Sequence, residues 1–479
     1  MMINLLLIFP LVACLLLALF RKKLFNNIML VGYSLIHMGI SVAYCINPEL
    51  VPATKYFSID HTNFIFLILL SIVYLAVAIY NCGYMKNEDI SNNKLTRYSC
   101  MTMIFVLAIT GAILSNNLGL AWVFIEATTL ASAYLICFES TKHSIEAAWK
   151  YVFICSIGIA LAFVGIILLT VSSGSMNSLA YNDIYIHALS FNPYWLKLAY
   201  VFILFGIGTK MGLAPVHFWL PDAHSEAPTP ISALLSAGLL NSAFLIILKV
   251  YRIVVIANCG GFAHGMMLTM GFLSLFIAAV FLYYISNYKR MLAYSSIENM
   301  GILMIGAGLG GVALYAAILH MIAHSLVKAS FFLTSGNVLT IFGSKKIKSV
   351  SGILKLDRKT GWLWVASFLA ICAFPPSLLF ISEFLMIKTM LVQQHFVLCI
   401  MFVVLLTIIL FGLAKSAIKM SFGEPNKNKL EIYETNAKKL TFGMYAPQVV
   451  MLTLAFVLGC YIPTCLDNVI SAAIVGFGG

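Results

Sequence analysis

The chain has 479 residues, 62% of them hydrophobic and only 10% charged, with a mean hydropathy of +0.99. A soluble domain carries about 25% charged residues, so this composition excludes a soluble globular protein and indicates a polytopic membrane protein. The net charge of +12 does not point to nucleic acid, because the basic residues are scattered over loops between apolar runs.

The first apolar run, residues 3–20, has no basic segment before it and no small-residue cleavage motif. Its basic cluster, Arg21-Lys22-Lys23, comes after it, so it reads as a retained helix and not a signal peptide. Further runs lie near residues 27–45, 63–83, 99–115, 118–138, 149–172, 196–219, 229–256, 264–286, 291–309, 312–342, 362–392, 395–420 and 444–473. A crossing needs about 20 residues, so an all-α polytopic fold of about fourteen transmembrane helices is expected. The two longest runs are expected to contain breaks.

Threading the runs alternately places Arg21–Lys23, Lys86, Lys94, Arg97, Lys142, Lys289, Arg290, Lys345, Lys346, Lys348, Lys355, Arg358, Lys359, Lys427, Lys429, Lys438 and Lys439 on one side. The other side carries little beyond Lys55, Lys197 and Arg252. By the positive-inside rule the basic side is cytoplasmic, with both termini outside, in a prokaryotic cell membrane. Segment 343–361 is the most basic and 421–443 the longest polar insert. No Gly-rich phosphate loop or Walker motif occurs, which excludes a self-powered ATPase. Eleven cysteines sit singly with no CxxC pair and read as small buried hydrophobes. Neither cysteine nor histidine spacing supplies a ligand set, so no cofactor and no metal is expected in this chain.

A compact set of ionisable residues falls inside the runs: Glu126, Lys150, Lys210, Lys249, Glu298, His320, His324, Lys328, Glu383 and Lys415. A charge at the bilayer centre costs about 2.5–3.5 kcal/mol by insertion scales, so these groups must be paired, hydrated or neutralised together. A connected polar axis does this for all of them. Lys210 stands in Gly206-Ile-Gly-Thr-Lys-Met-Gly-Leu-Ala-Pro215, and Pro221, Pro228 and Pro230 follow. Each interior proline removes a helix hydrogen bond, so a broken helix lining a wet cavity is expected there. Glu126, amid Trp122-Val-Phe-Ile, is placed to take and release a proton. His320, His324 and Lys328 recur at four-residue intervals along one helix face, which fits a proton relay better than a metal lacking a third ligand. Lys249 and Lys415 lie near run ends, where snorkelling to the interface is an equal alternative. Glu298 is expected to pair with Lys289-Arg290.

The charges also repeat. Lys210 and Glu383 are 173 residues apart, Glu126 and Glu298 172, Lys150 and Lys328 178, and Lys249 and Lys415 166. A repeat of that length holds five runs, and an odd number inverts the second copy, as in secondary transporters. The expected organisation is N-terminal helices over 1–98, repeats over 99–256 and 264–420, each with a broken helix, and a loop with a final helix over 421–479.

Three stretches carry a family resemblance: Lys210 with Trp219-Leu-Pro-Asp-Ala-His224 and Pro228-Thr-Pro-Ile-Ser-Ala-Leu; Tyr288-Lys-Arg-Met-Leu-Ala-Tyr-Ser-Ser; and His320-Met-Ile-Ala-His324-Ser-Leu-Val-Lys328-Ala. Over about 60–465 the chain resembles the antiporter-like proton-channel subunits shared by respiratory complex I, multisubunit cation/proton antiporters and membrane-bound nickel-iron hydrogenases. Asn116 to Leu130, Glu146-Ala-Ala-Trp-Lys150 and Ser225-Glu226-Ala are most similar to the F subunit of hydrogenase-4 and formate hydrogenlyase type complexes.

The resemblance implies that Glu126 and Lys210 form a charged pair gating proton transfer. It further implies that Lys150 serves between them, that His320, His324 and Lys328 are the central relay, and that Glu383 is nearest the exit. Asn241 and Asn299 stand where relatives carry lysine and histidine. It implies a proton-translocating subunit of a redox complex with no catalytic centre of its own, whose partner subunits hold nickel-iron and iron-sulfur centres. The alternatives are a subunit of a sodium/proton antiporter or of an NADH:quinone oxidoreductase.

Overall fold

The computed structural model describes residues 2–87, 90–174 and 178–477. Its helices are α1 (Met2–Leu19), α2 (Lys23–Ile46), α3 (His61–Tyr84), α4 (Asn92–Leu114), α5 (Leu118–Ile136), α6 (Lys142–Ser173) and the short α7 (Tyr181–His187). Next come α8 (Pro193–Met211), α9 (Trp219–Glu226), α10 (Thr229–Leu234), α11 (Leu240–Ile256), α12 (Gly260–Leu282), α13 (Tyr288–Leu309) and α14 (Gly311–Phe342). The chain continues with α15 (Ile353–Leu356), α16 (Arg358–Ile371), α17 (Leu378–Val392), α18 (Phe396–Phe422), α19 (Leu430–Ala437), α20 (Ala446–Cys460) and α21 (Thr464–Ile474).

Among the described residues, eleven helices are long and apolar enough to cross a membrane, with α10 and α11 counted as one because the π-helical turn Leu235–Leu239 joins them. Three further apolar segments complete the fourteen expected: α8, α13 and the interrupted pair α16–α17. A lipid-spanning chain must satisfy its backbone internally, which helices do and open sheets do not. The described residues accordingly hold only isolated β-bridges and no strand.

Two expectations are corrected. The run 312–342 is one uninterrupted helix, α14, because it contains no proline and its single internal glycine, Gly336, is tolerated against Tyr80 and Thr229. The run 444–473 is two helices, since α20 stops at Cys460 and Tyr461-Ile-Pro463 breaks it before α21.

The loops sort onto two faces. On one, Arg21 Nη1 donates to Asn93 Oδ1 at 3.2 Å, Lys345 lies 3.3 Å from Glu226 and 3.9 Å from Glu139, Asn87 Nδ2 donates to the Lys439 carbonyl, and Lys355 pairs with Glu424. On the other, Phe57 bridges Ser115, Asn117 bridges Ala180, and Tyr315 OH donates to Asp467 at 2.6 Å. The helices from α4 to α11 make five crossings starting from the basic face. Those from α12 to α18 make five starting from the opposite face, which is the inverted-repeat plan.

The seam between α6 and α8 sets the site. A Cβ on Gly206 would lie 2.5 Å from the Ala162 nitrogen and the Gly158 carbonyl, and one on Gly158 2.5 Å from Thr209 Oγ1. Only hydrogen at these positions lets the two backbones meet, and that close approach presents Lys210 on α8 to Tyr151 on α6.

Candidate proton-path site

Lys210 occupies the last turn of α8 and is fully buried. The helix ends one residue later at Gly212, whose φ of +75° is the left-handed cap that glycine adopts without steric cost. The break does not leave its backbone bare. Trp219 Nε1 donates to the Thr209 carbonyl at 2.8 Å, and the Ala214 N–H donates to Ser274 Oγ at 2.9 Å. Irregular backbone at membrane depth requires such partners.

The lysine does not ion-pair directly with Glu126. Lys210 Nζ donates to Thr129 Oγ1 at 2.5 Å, and the Thr129 hydroxyl donates to Glu126 Oε2 at 3.0 Å. Thr129 follows Glu126 by three residues on α5, so both share one helix face. The ammonium also donates to Tyr151 OH at 3.2 Å and lies 4.8 Å from that ring's centroid. Tyr151 OH is in turn 2.7 Å from Ser132 Oγ, and its ring packs 4.8 Å from Trp219. The expected charged pair is therefore a three-membered relay whose middle member is a neutral hydroxyl.

Beyond the break the polar groups are buried and partly unsatisfied by protein. His224 on α9 stacks on Phe332 at 4.8 Å, and neither of its ring nitrogens has a protein partner. His324 on α14 is likewise without one. Asn241, at the first turn of α11, donates to Ser325 at 2.6 Å but leaves Oδ1 unpartnered. Lys328 Nζ donates to the Leu292 carbonyl at 2.7 Å. His320 is held on both sides, by Ser382 at 2.9 Å and Asn299 Oδ1 at 3.1 Å. Asn299 thus supports a histidine of α14.

Glu383, on α17 after the second break, lines a cavity of about 160 Å³ together with Glu298 and Cys372. Glu298 does not pair with the basic cluster as expected. Lys289 donates to the Ala227 carbonyl at 2.5 Å, and Arg290 pairs with Asp222 at 2.8 Å, both at the far end of α13 from Glu298.

Two expected members lie off this row. Lys150 is half exposed and pairs with Glu146 at 2.7 Å and Asp222 at 3.3 Å. It borders an open pocket of about 740 Å³ on the basic face, because its side chain leaves α6 one position before the inward-facing Tyr151. Its surroundings therefore differ from those of the fully buried Lys328 on α14. Lys249 is buried near the opposite face, donating to the Ser115 carbonyl at 3.3 Å and lying 4.7 Å from the Tyr181 ring. Thr129, Tyr151 and Ser132 carry no charge that marks them in the sequence. His224 does have a signal there, a histidine beside a proline-flanked break.

A wholly helical membrane protein with two interrupted helices and a row of buried charge between them has the architecture of an ion-translocating membrane subunit. The chain belongs to the family described as "NADH:quinone oxidoreductase/Mrp antiporter, TM", whose profile matches residues 115–409. It is 35% identical over 423 residues to a hydrogenase-4 component F homolog of Methylacidiphilum infernorum, covering 86% of this chain and 87% of the relative. It is 27% identical over 421 residues to NADH-quinone oxidoreductase subunit N of Desulforudis audaxviator, covering 85% and 82%. The fold matches a chain of an archaeal membrane-bound sulfane sulfur reductase with a TM-score of 0.88 at 21% identity, covering 99% of this chain and 97% of that one.

Proposed function

We propose that this chain is the proton-translocating membrane subunit of a redox-driven complex of the hydrogenase-4 type, with no catalytic centre of its own. The observation that carries the reading is the Glu126–Thr129–Lys210 relay, whose Thr129 and Lys210 are buried beside a helix break, followed by His224 and His324 without protein partners. Buried polar groups are nearly always satisfied, by protein or by water, so these unpartnered histidines call for water, which favours a hydrated proton path. Protons are taken up on the basic face, which by the positive-inside rule is cytoplasmic, and both termini region helices then end outside. They pass Lys210, His224, His324 and Lys328 and leave by Glu383. A change of charge at Glu126 alters how firmly the relay holds the Lys210 ammonium, which couples this chain to its neighbours. In this reading partner subunits carry the nickel-iron and iron-sulfur centres; the similarity to a hydrogenase-4 component F homolog supports the hydrogenase-4 type of the complex.

The test is proton translocation by the intact complex in proteoliposomes. Glu126→Gln and Lys210→Ala are expected to abolish it while leaving assembly intact, and unchanged translocation in both overturns the reading. A requirement for sodium in the same assay assigns the chain to sodium/proton exchange instead.

A further inference from the structure

The cavity of about 160 Å³ at the second helix break brings together two carboxylates from different helices, Glu298 of α13 and Glu383 of α17. Glu298 is only 4% exposed, and its Oε2, on the side chain that lines this cavity, has no protein hydrogen-bond partner. Ile371 and Cys372, at the end of α16, form part of the same wall. The C-terminus of a helix carries partial negative charge from its unpaired carbonyls, so it adds to the negative potential of the two carboxylates. Like charges in one poorly hydrated space cannot both ionise cheaply. The charged and titratable groups around Glu298 are Lys328 from α14, Cys372 from α16 and Glu383 from α17. Lys328 does not neutralise the carboxylates by contact: its Nζ is committed to the Leu292 carbonyl, and it makes no ion pair within 4.0 Å. Apolar residues of α18, including Leu406 and Leu410, line the cavity, while Thr407 offers it a hydroxyl. The space is well above the about 10–15 Å³ that a single water needs.

We infer that Glu298 and Glu383 form a two-carboxyl site that holds one proton between them, loaded through Glu298 and discharged through Glu383. The inference rests on the proton-translocation reading and adds Glu298 to it as a proton-carrying residue. No bond other than O–H changes: a proton binds a Glu298 carboxylate oxygen, crosses the cavity through water, and leaves from Glu383.

The test uses the intact complex with Glu298→Gln, Glu298→Asp, Glu383→Gln and Lys210→Ala, read by proton translocation and by redox-difference infrared spectroscopy. Glu298→Gln and Glu383→Gln are each expected to reduce translocation by about 100-fold or more, with Glu298→Asp retaining most of it. Both glutamine variants are expected to remove or displace the same deuterium-sensitive carboxylic-acid C=O band, which a purely structural role does not predict. An unchanged band in Glu298→Gln overturns the site. So does normal translocation in Glu298→Gln while Lys210→Ala abolishes it, and that result leaves the functional reading standing. If Lys210→Ala is silent as well, it is the functional reading that fails. Displacement of the band by sodium ions marks a metal-cation site and overturns the proton assignment.

Discussion

Thr129 stands between the two charges that the motif pairs: its hydroxyl oxygen is 2.5 Å from Lys210 Nζ while its proton goes to Glu126 Oε2 at 3.0 Å. A hydroxyl both donates and accepts, so it transmits a change at either end without a direct ion pair.

Removing that hydroxyl is therefore expected to uncouple the two charges. Thr129→Val keeps the volume but strips Lys210 and Glu126 of a shared partner. A buried group left unsatisfied costs about 1–3 kcal/mol, and losing that much where the relay limits transfer lowers the translocation rate about 5- to 150-fold. Thr129→Ser retains the relay and should stay near wild type. Proteoliposome translocation measures both, and equal rates for valine and serine refute the relay.

Tyr151 serves Lys210 through its hydroxyl at 3.2 Å and through its ring face at 4.8 Å. Tyr151→Phe keeps the ring and loses only the hydroxyl, so a milder loss is expected than for Tyr151→Leu, which loses the cation–π contact too. Such contacts contribute about 0.5–2 kcal/mol. The order of the two variants in translocation rate is the measurement.

Lys150 presents the opposite case. It lies on the water-facing pocket in a cluster with Glu146, Asp222 and Arg290. Exposed pairs contribute little and are screened by salt. Lys150→Ala is expected to retain at least about half of the translocation rate at 0.15 M salt, with any defect showing mainly at low ionic strength. Complete loss would return Lys150 to the buried path.

The α6–α8 seam is a packing requirement. Gly206→Val places side-chain atoms where the Gly158 carbonyl and Ala162 nitrogen already lie, and backbone cannot yield as a flexible side chain does. Overpacking of this kind costs about 1–3 kcal/mol or more. The variant is expected to lower the thermal midpoint of the purified complex and its yield. A normal midpoint contradicts the close approach of the two helices.

Trp219 closes the first break by donating Nε1 to the Thr209 carbonyl at 2.8 Å. Trp219→Phe keeps an aromatic ring against Tyr151 but removes the side-chain donor to that carbonyl, one residue before Lys210, leaving it only the Gly212 N–H at 3.1 Å. A destabilisation of about 0.5–1.5 kcal/mol, the net contribution of one hydrogen bond, is expected. Faster amide exchange in residues 206–212 than in α6 would locate the effect at the break.

The bilayer's demand for long apolar runs made the helix count, the inverted plan and the charged residues legible in the sequence, because each is a property of composition and spacing along the chain. Lys210 beside its proline and glycine break, and Glu383 behind Pro375-Pro376, were readable for the same reason. Partnership was not. Whether Lys210 reaches Glu126 directly or through Thr129 depends on how closely α5, α6 and α8 approach, and that is set by glycines whose role appears only when two helices are packed together. Spacing put Lys150 and Lys328 in register as repeats, yet one helical position separates an exposed side chain from a buried one. Spacing alone also tied Glu298 to the basic residues at the start of its own helix, whereas packing of α13 against α16 to α18 turned it toward Glu383. The sequence by itself determined that expensive charge lies at membrane depth and must be compensated. Only the tertiary structure decided which groups compensate it, because hydrogen-bond partners are chosen by distances of a few ångströms across helices that are far apart in the chain.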